Sequence, residues 1–193
     1  WIGFCQKRRF WINPEKDQNL ITSENLNEFL LSEIDDKLSK SESFICSPVN
    51  LTGVKKMKMI KRGWKNLIKD PNIFFNNQKH TIALHFDMHH GYNNLNKAIN
   101  LLDSENKRDF FDFVNNKTYF NPHIMCISRP DILEKWFKSL FSWLERCESE
   151  FGFNKLNGYD TQRLYAYLAE RYLSFWFKKY TKFKTNPWTF IDF

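Results

Sequence analysis

The chain has 193 residues, of which 42% are hydrophobic and 18% aromatic, enough for one real core and too apolar for global disorder. Six Gly and six Pro are too few for a loop-dominated or repeat β architecture. A net charge of +7 suits anionic partners: nucleotide diphosphates, nucleic acid or an acidic membrane surface. One domain over residues 1–193 is the default for this length. The sequence begins at Trp1, without Met and inside an apolar pattern, and is read as a piece whose upstream part is missing.

In chain order, Trp1 to Cys5 reads as a short buried strand followed directly by the cations of QKRRFW. Thr22–Ser23 before Glu24 and the periodic Leu26, Phe29, Leu30 and Ile34 predict a capped helix to about Leu38. Ser43 to Cys46 predicts a second strand, ended by Ser47–Pro48. Leu51 to Ile68 predicts a helix carrying the basic cluster Lys55, Lys56, Lys58, Lys61, Arg62 and Lys65, either a solvated face or a binding patch. Pro71 to Gln78 is a loop, and His80 to His85 opens a helix that could extend through Asn94 to Leu102. Asp109 to Val114 is a short helix. A turn at Asn121–Pro122 precedes a buried strand over 124–127. Pro130 starts a long helix to about Glu150, a loop runs from Phe151 to Gly158, and NPWTFIDF offers a final strand. Strands alternating with dominant helices predict an α/β fold with a helix-rich C-terminal half.

The last long helix is predicted from Gly158 to Phe177. At about 100° per residue, Asp160, Arg163, Tyr167, Glu170, Arg171 and Ser174 fall within an arc of about 100° on an otherwise apolar helix. Buried charge is costly unless paired or in use, so this stripe is either a structural ion-pair ladder or the wall of a cleft.

Four further groups could carry chemistry. His85, Asp87, His89 and His90 form the one histidine cluster. A His pair at i, i+4 can bind metal, and Asp87-Met-His89 is an acidic-x-His triplet that could hold a divalent ion; capping and hydrogen bonding, or a ligand-contacting His90, are the other readings. Arg8 and Arg9 follow the first strand, where a planar fork suits a diphosphate, or else cover Phe10 and Trp11. Asn121 and His123 could meet a sugar's hydroxyls or only make the turn. Asp160 is a first-turn carboxylate or a base for an acceptor hydroxyl, with Arg163 one turn on to hold it. No P-loop, dinucleotide glycine fingerprint, G-x-S-x-G elbow or nucleic-acid module is present. The cysteines, Cys5, Cys46, Cys126 and Cys147, have no CxxC spacing; the first three sit in apolar runs as small hydrophobes, which favours a reduced, cytoplasmic setting. No run reaches transmembrane length and no signal peptide is present.

Three segments together resemble one bacterial family. WIGFCQKRRFW is similar to the "IGLCHYRRY" segment of the capsular and lipopolysaccharide side-chain glycosyltransferases long catalogued as a domain of unknown function. DMHHGYNNL resembles that family's His before a short helix, with His90 at the matching place. NPHIMCISRPDILEKWFKSLFSWLERCE followed by GYDTQRLYAYLAER resembles its strand and paired helices, with Arg163, Glu170 and Arg171 at family positions. The chain departs from it at Gln6 and Lys7, where the family has His and Tyr, and at Asn93–Asn94, where it has acidic residues.

The resemblance implies a GT-A-like mixed sheet flanked by helices, here without the N-terminal strands. It implies a nucleotide-sugar donor, a glycan or lipid-linked glycan acceptor, no specific nucleic acid, and a cytoplasmic place at the inner face of a membrane with peripheral association. In that setting Arg8 and Arg9 bind the diphosphate, with Asn121 and His123 on the donor. Asp160 and His90 are catalytic, and Arg163, Glu170 and Arg171 order the cleft or meet the leaving diphosphate. No cofactor is fixed: Mn²⁺ or Mg²⁺ is the candidate, with Asp87 and His89 as candidate ligands, but an Asp-x-Asp motif is absent and arginines could stabilise the leaving group without a metal. The rival readings are a noncatalytic basic module for anionic glycan, nucleic acid or membrane, and a His-cluster metallohydrolase.

Overall fold

A computed structural model describes residues 1–34 and 40–192, with the side chains of Tyr159 and Asp160 outside that description. Its centre is a four-stranded mixed sheet in the order β1-β6-β3-β7, where β1 is Ile2–Phe4, β3 Ser43–Cys46, β6 Cys126–Ser128 and β7 Phe183–Asn186. β6 runs antiparallel to both β1 and β3, and β3 pairs in parallel with β7, from Ser43 opposite Phe183 to Cys46 opposite Asn186. The carboxyl ends of β1, β3 and β7 and the amino end of β6 therefore share one edge. Two ribbons flank the sheet: β2 (Arg9–Trp11) with β8 (Trp188–Phe190), and β4 (Val49–Asn50) with β5 (Tyr119–Phe120).

The period of two in a strand splits its side chains between two cores. Ile45 and Cys126 face a large core built with the helices, whereas Phe44, Cys46, Met125 and Ile127 join Trp11 beneath the β2–β8 ribbon. The large core is made by α3 (Ile82–His90), α4 (Asn94–Asn100), α5 (Ser104–Asn116), α6 (Pro130–Phe151) and α8 (Leu164–Tyr180). Trp136, Trp143, Phe110 and Tyr172 fill it. The indole N–H of Trp143 donates to Ala98 O at 2.8 Å, and Tyr172 Oη meets Ser139 Oγ at 2.8 Å, so these two polar tips are satisfied in place, whereas the buried indole nitrogen of Trp136 has no hydrogen-bond partner among the described residues.

Several expectations are corrected. β1 is an exposed edge strand, with Ile2 and Phe4 about two-fifths exposed, because only β6 pairs with it. Cys5 is exposed with it, while Cys46, Cys126 and Cys147 are buried. The helix expected from Thr22 is the four-residue α1 (Leu26–Phe29), since Leu30 leaves it to bridge Ile12; residues 35–38 of that expectation lie outside the described residues. The basic helix, α2 (Lys56–Lys69), starts beyond Gly53. The helix from His80 is cut in two at Gly91 (φ 97°), where a Cβ would come within 2.3 Å of Asn94 Nδ2. The last long helix is also broken: α7 (Tyr159–Gln162) ends at Arg163, with φ −96° and ψ 17°, and α8 continues to Tyr180. Among the described residues no helix is long and apolar enough to cross a membrane.

Candidate functional site

A line of polar side chains crosses the shared edge of the sheet, where ligands of open α/β sheets bind. It begins at Arg9 on β2, whose Nε donates to His123 Nε2 at 3.2 Å. His123 precedes β6 with a left-handed backbone (φ 66°), an uncommon state for a residue with a Cβ. It is held there by Glu170 of α8, whose Oε1 accepts from the His123 backbone N–H at 2.6 Å and lies 3.5 Å from His123 Nδ1. Trp188 of β8 closes edge-on against the imidazole, with ring centroids 4.3 Å apart.

This arrangement fixes the tautomer of His123. Nε2 must accept from arginine, which only donates, so the proton sits on Nδ1 toward Glu170. Burial pushes the imidazole down to about 4; the Glu170 carboxylate pulls the other way and the two arginines add to the fall. His123 is therefore neutral at physiological pH.

The other oxygen of Glu170 pairs with Arg171, which is almost fully buried. Its guanidinium carbon lies 3.7 Å from the centroid of Phe120, and its Nη2 is 3.4 Å from His85 Nδ1. His85 is held neutral, pushed down to about 2 by burial first and the Arg171 charge next. Burial works against the Arg171 charge and Glu170 restores it. Its Nε has no hydrogen-bond partner among the described residues. Beyond His85 the line continues through His89, stacked on His85 at 4.4 Å, to His90, whose ring stacks at 3.7 Å on Tyr167. Arg163 sits 5.5 Å from the Tyr167 centroid.

Arg9, His123, Glu170, Arg171, His90 and Arg163 are thus strung along one line of contacts, in which Arg171 and His90 are buried. Two expected residues are placed otherwise. Arg8, also left-handed (φ 64°), pairs with Asp192 on the exposed surface. Asn121 is buried: its Nδ2 donates to Cys46 O at 2.6 Å and its Oδ1 accepts from Ser174 Oγ at 3.1 Å, so it braces the 121–123 turn against β3 and α8. The Asp160 side chain lies outside the described residues.

The candidate metal ligands do not come together. Residues two apart on a helix stand about 200° apart. Asp87 accordingly accepts from Asn93 N–H at 2.9 Å beside a polar cleft of about 320 Å³, while His89 Nδ1 meets His85 O at 3.0 Å. Among the described residues no group of three His, Cys, Asp or Glu could hold a metal ion, so these residues do not fit the expected cation. Phe120 and Trp188 were missed as site residues, whereas His85 stands in the histidine cluster and Tyr167 on the polar stripe read from the sequence. The spacing of His85 from His89 and His90 is visible in the sequence, but the approach of Trp188 and Phe120 is long-range and leaves no local signal.

The chain matches the family described as domain of unknown function (DUF4422) over residues 1–182. It belongs to that family. Among solved structures it is similar to one described as "WbbM bifunctional glycosytransferase apo structure", at 14% identity and a TM-score of 0.63. That match covers 99% of this chain and 33% of the other, so this DUF4422 chain spans about a third of the length of that relative. The likeness is one of fold, a mixed sheet flanked by helices, which the family resemblance implies and which lies within the α/β class that the alternating pattern predicts. No curated protein matches.

Proposed function

We propose that this DUF4422 chain is a glycosyltransferase domain that moves a sugar from a nucleotide-sugar donor to a glycan or lipid-linked glycan acceptor of a cell-surface polysaccharide, capsular or lipopolysaccharide, at the cytoplasmic face of a membrane. The observation that carries this reading is the Arg9–His123–Glu170–Arg171 line at the carboxyl ends of β1, β3 and β7. Arginines outnumber carboxylates in it, which suits a group that develops negative charge as it leaves.

In this reading Arg9 meets the diphosphate of the donor. It forms no ion pair with a carboxylate among the described residues, and its planar fork can donate to two oxygens at once. His123 positions it. Arg163, at the junction of α7 and α8, supplies a second cation, and Arg171 and Glu170 hold the turn that carries His123. Stabilising the leaving diphosphate is the main electrostatic task of such a transfer. The acceptor hydroxyl must lose a proton if the enzyme inverts, and Asp160 is the proposed base, with His90 orienting the acceptor.

The test is a thermal-shift panel of nucleoside diphosphates and nucleotide sugars on the full chain, with and without Mn²⁺, followed by an assay for nucleoside diphosphate release. Selective stabilisation by one nucleotide and release from its sugar conjugate are expected. A chain that no nucleotide stabilises and that releases none refutes the reading.

A further inference from the structure

α2 carries two apolar faces, and only one of them is used inside the protein. Met59 and Gly63 pack inward on Met88 and Leu84 of α3, so closely that a Cβ on Gly63 would meet Met88 Cγ at 3.2 Å. The second face is open. Met57 is 63% exposed, Ile60 45%, Trp64 51% and Ile68 72%. At about 100° per residue these four occupy an arc of about 80° along the whole helix. Lys58, Lys61, Arg62, Lys65 and Lys69 fill the next arc of about 100°, and the segment from Lys55 to Lys69 contains no Asp or Glu. Exposed apolar residues are ordinary when scattered, whereas a continuous stripe edged by one sign of charge marks an interaction surface.

We propose that α2 docks this protein on an anionic lipid bilayer, with Met57, Ile60, Trp64 and Ile68 entering the headgroup–acyl boundary and the flanking cations meeting lipid phosphates. The four exposed side chains run the length of a helix whose adjacent flank is uniformly basic, which matches a surface that offers apolar depth beneath a layer of phosphates. The composition of α2 is that of an interfacial helix: a strongly charged flank rich in Lys and Arg, beside a face with Trp and aliphatic residues. Lysines can lay their methylene stems along the apolar face and keep the ammonium at the phosphates. A nucleic acid would reward the cations and leave Ile60 and Ile68 without a role. The inference deepens the membrane location in the proposed function, and its failure is distinguishable from a failure of sugar transfer because binding to lipid is read without any nucleotide.

The experiment is co-sedimentation of the full chain with vesicles of phosphatidylcholine alone and of phosphatidylcholine mixed with phosphatidylglycerol. The wild type is expected to sediment with the anionic vesicles only, and less as salt rises. Two variants separate the contributions: I60E/I68E removes the apolar stripe, and K58Q/K61Q/K65Q removes flanking charge. Each is expected to lower the partition coefficient at least tenfold. All the substituted side chains are exposed, so an unchanged melting temperature and circular dichroism spectrum show that the fold survives. The proposal is overturned if the wild type stays in the supernatant, or if folded I60E/I68E sediments as the wild type does. It is overturned equally if the wild type is a dimer that I60E/I68E splits into monomers, since a second copy would then cover the stripe.

Discussion

Arg171 rests its guanidinium on Phe120, 3.7 Å from the ring centroid, while the same group pairs with Glu170. The helix thus sets two oppositely charged neighbours side by side, with the arginine inside and the carboxylate at the edge, where it reaches the His123 backbone. Removing one partner of such a pair leaves a buried uncompensated charge or a void, at a cost of about 3–5 kcal/mol. Arg171→Ala should therefore lower the melting temperature by many degrees. Arg171→Met, which refills the space, should recover part of that loss. Denaturant melts of the two variants check this, and an R171A protein as stable as the wild type would contradict the structure.

His85 and His123 make stability depend on pH in a defined direction. Both imidazoles are pushed down by burial, to about 2 and about 4, while in an unfolded chain they titrate near about 6.5. Above that value neither state binds the proton and the two histidines contribute no pH dependence. Between about 6.5 and about 4 the unfolded chain binds protons that the folded one refuses, so stability falls as pH falls. Melts across this range should show that decline, and His123→Gln should flatten it. An unchanged slope in H123Q would show that His123 titrates normally in the folded state.

Arg9 and His123 should act on donor binding as a pair. A hydrogen bond to a charged group contributes about 1.5–3 kcal/mol, so Arg9→Ala should weaken nucleoside diphosphate binding by about tenfold or more. Arg9→Lys should not restore it, because an ammonium lacks the planar fork. His123→Ala should weaken binding less than R9A, and the double variant should fall short of the sum of the two singles. Calorimetric titration of the four proteins gives the coupling directly.

Asp160→Ala should abolish sugar transfer and leave both the melting temperature and nucleotide binding close to wild type. A D160A protein with full turnover removes the carboxylate from the role of base.

Gly63 tests the seat of α2. Gly63→Ala adds helix propensity of about 1 kcal/mol and asks only the flexible Met88 side chain to move, so stability should change little or rise. Gly63→Val, with a branched Cβ against the same contact, should be destabilising by about 1–3 kcal/mol. Chemical denaturation of both variants separates the two effects.

Much of this was legible in sequence, for identifiable reasons. β3 and β6 announce themselves as apolar runs, and α6 as a long helical period after Pro130, because burial imposes those patterns locally. The site was legible only as a set of residues: Glu170 and Arg171 stand out as charges on an apolar helix, but their pairing sends one to Phe120 and the other to His123, which no helical period encodes. The burial of Asn121 depends on the Cys46 carbonyl, 75 residues away. The break at Arg163 has no proline or glycine to mark it. Arg8 and Arg9 read as equivalent; the turn that gives Arg8 a left-handed backbone and leaves Arg9 on a strand separates them.

The cysteines have a practical consequence. Burial pushes the Cys126 and Cys147 thiols up to about 12 and holds that of Cys46 high as well, so none of the three offers a thiolate at neutral pH. Cys5 alone of the four is exposed, at the end of β1 and four residues before Arg9. A maleimide dye will therefore attach at Cys5 in preference to the other three without any engineered substitution, four residues in sequence from the cation proposed to meet the donor, and a change in its emission on adding nucleotide would give a direct readout of binding.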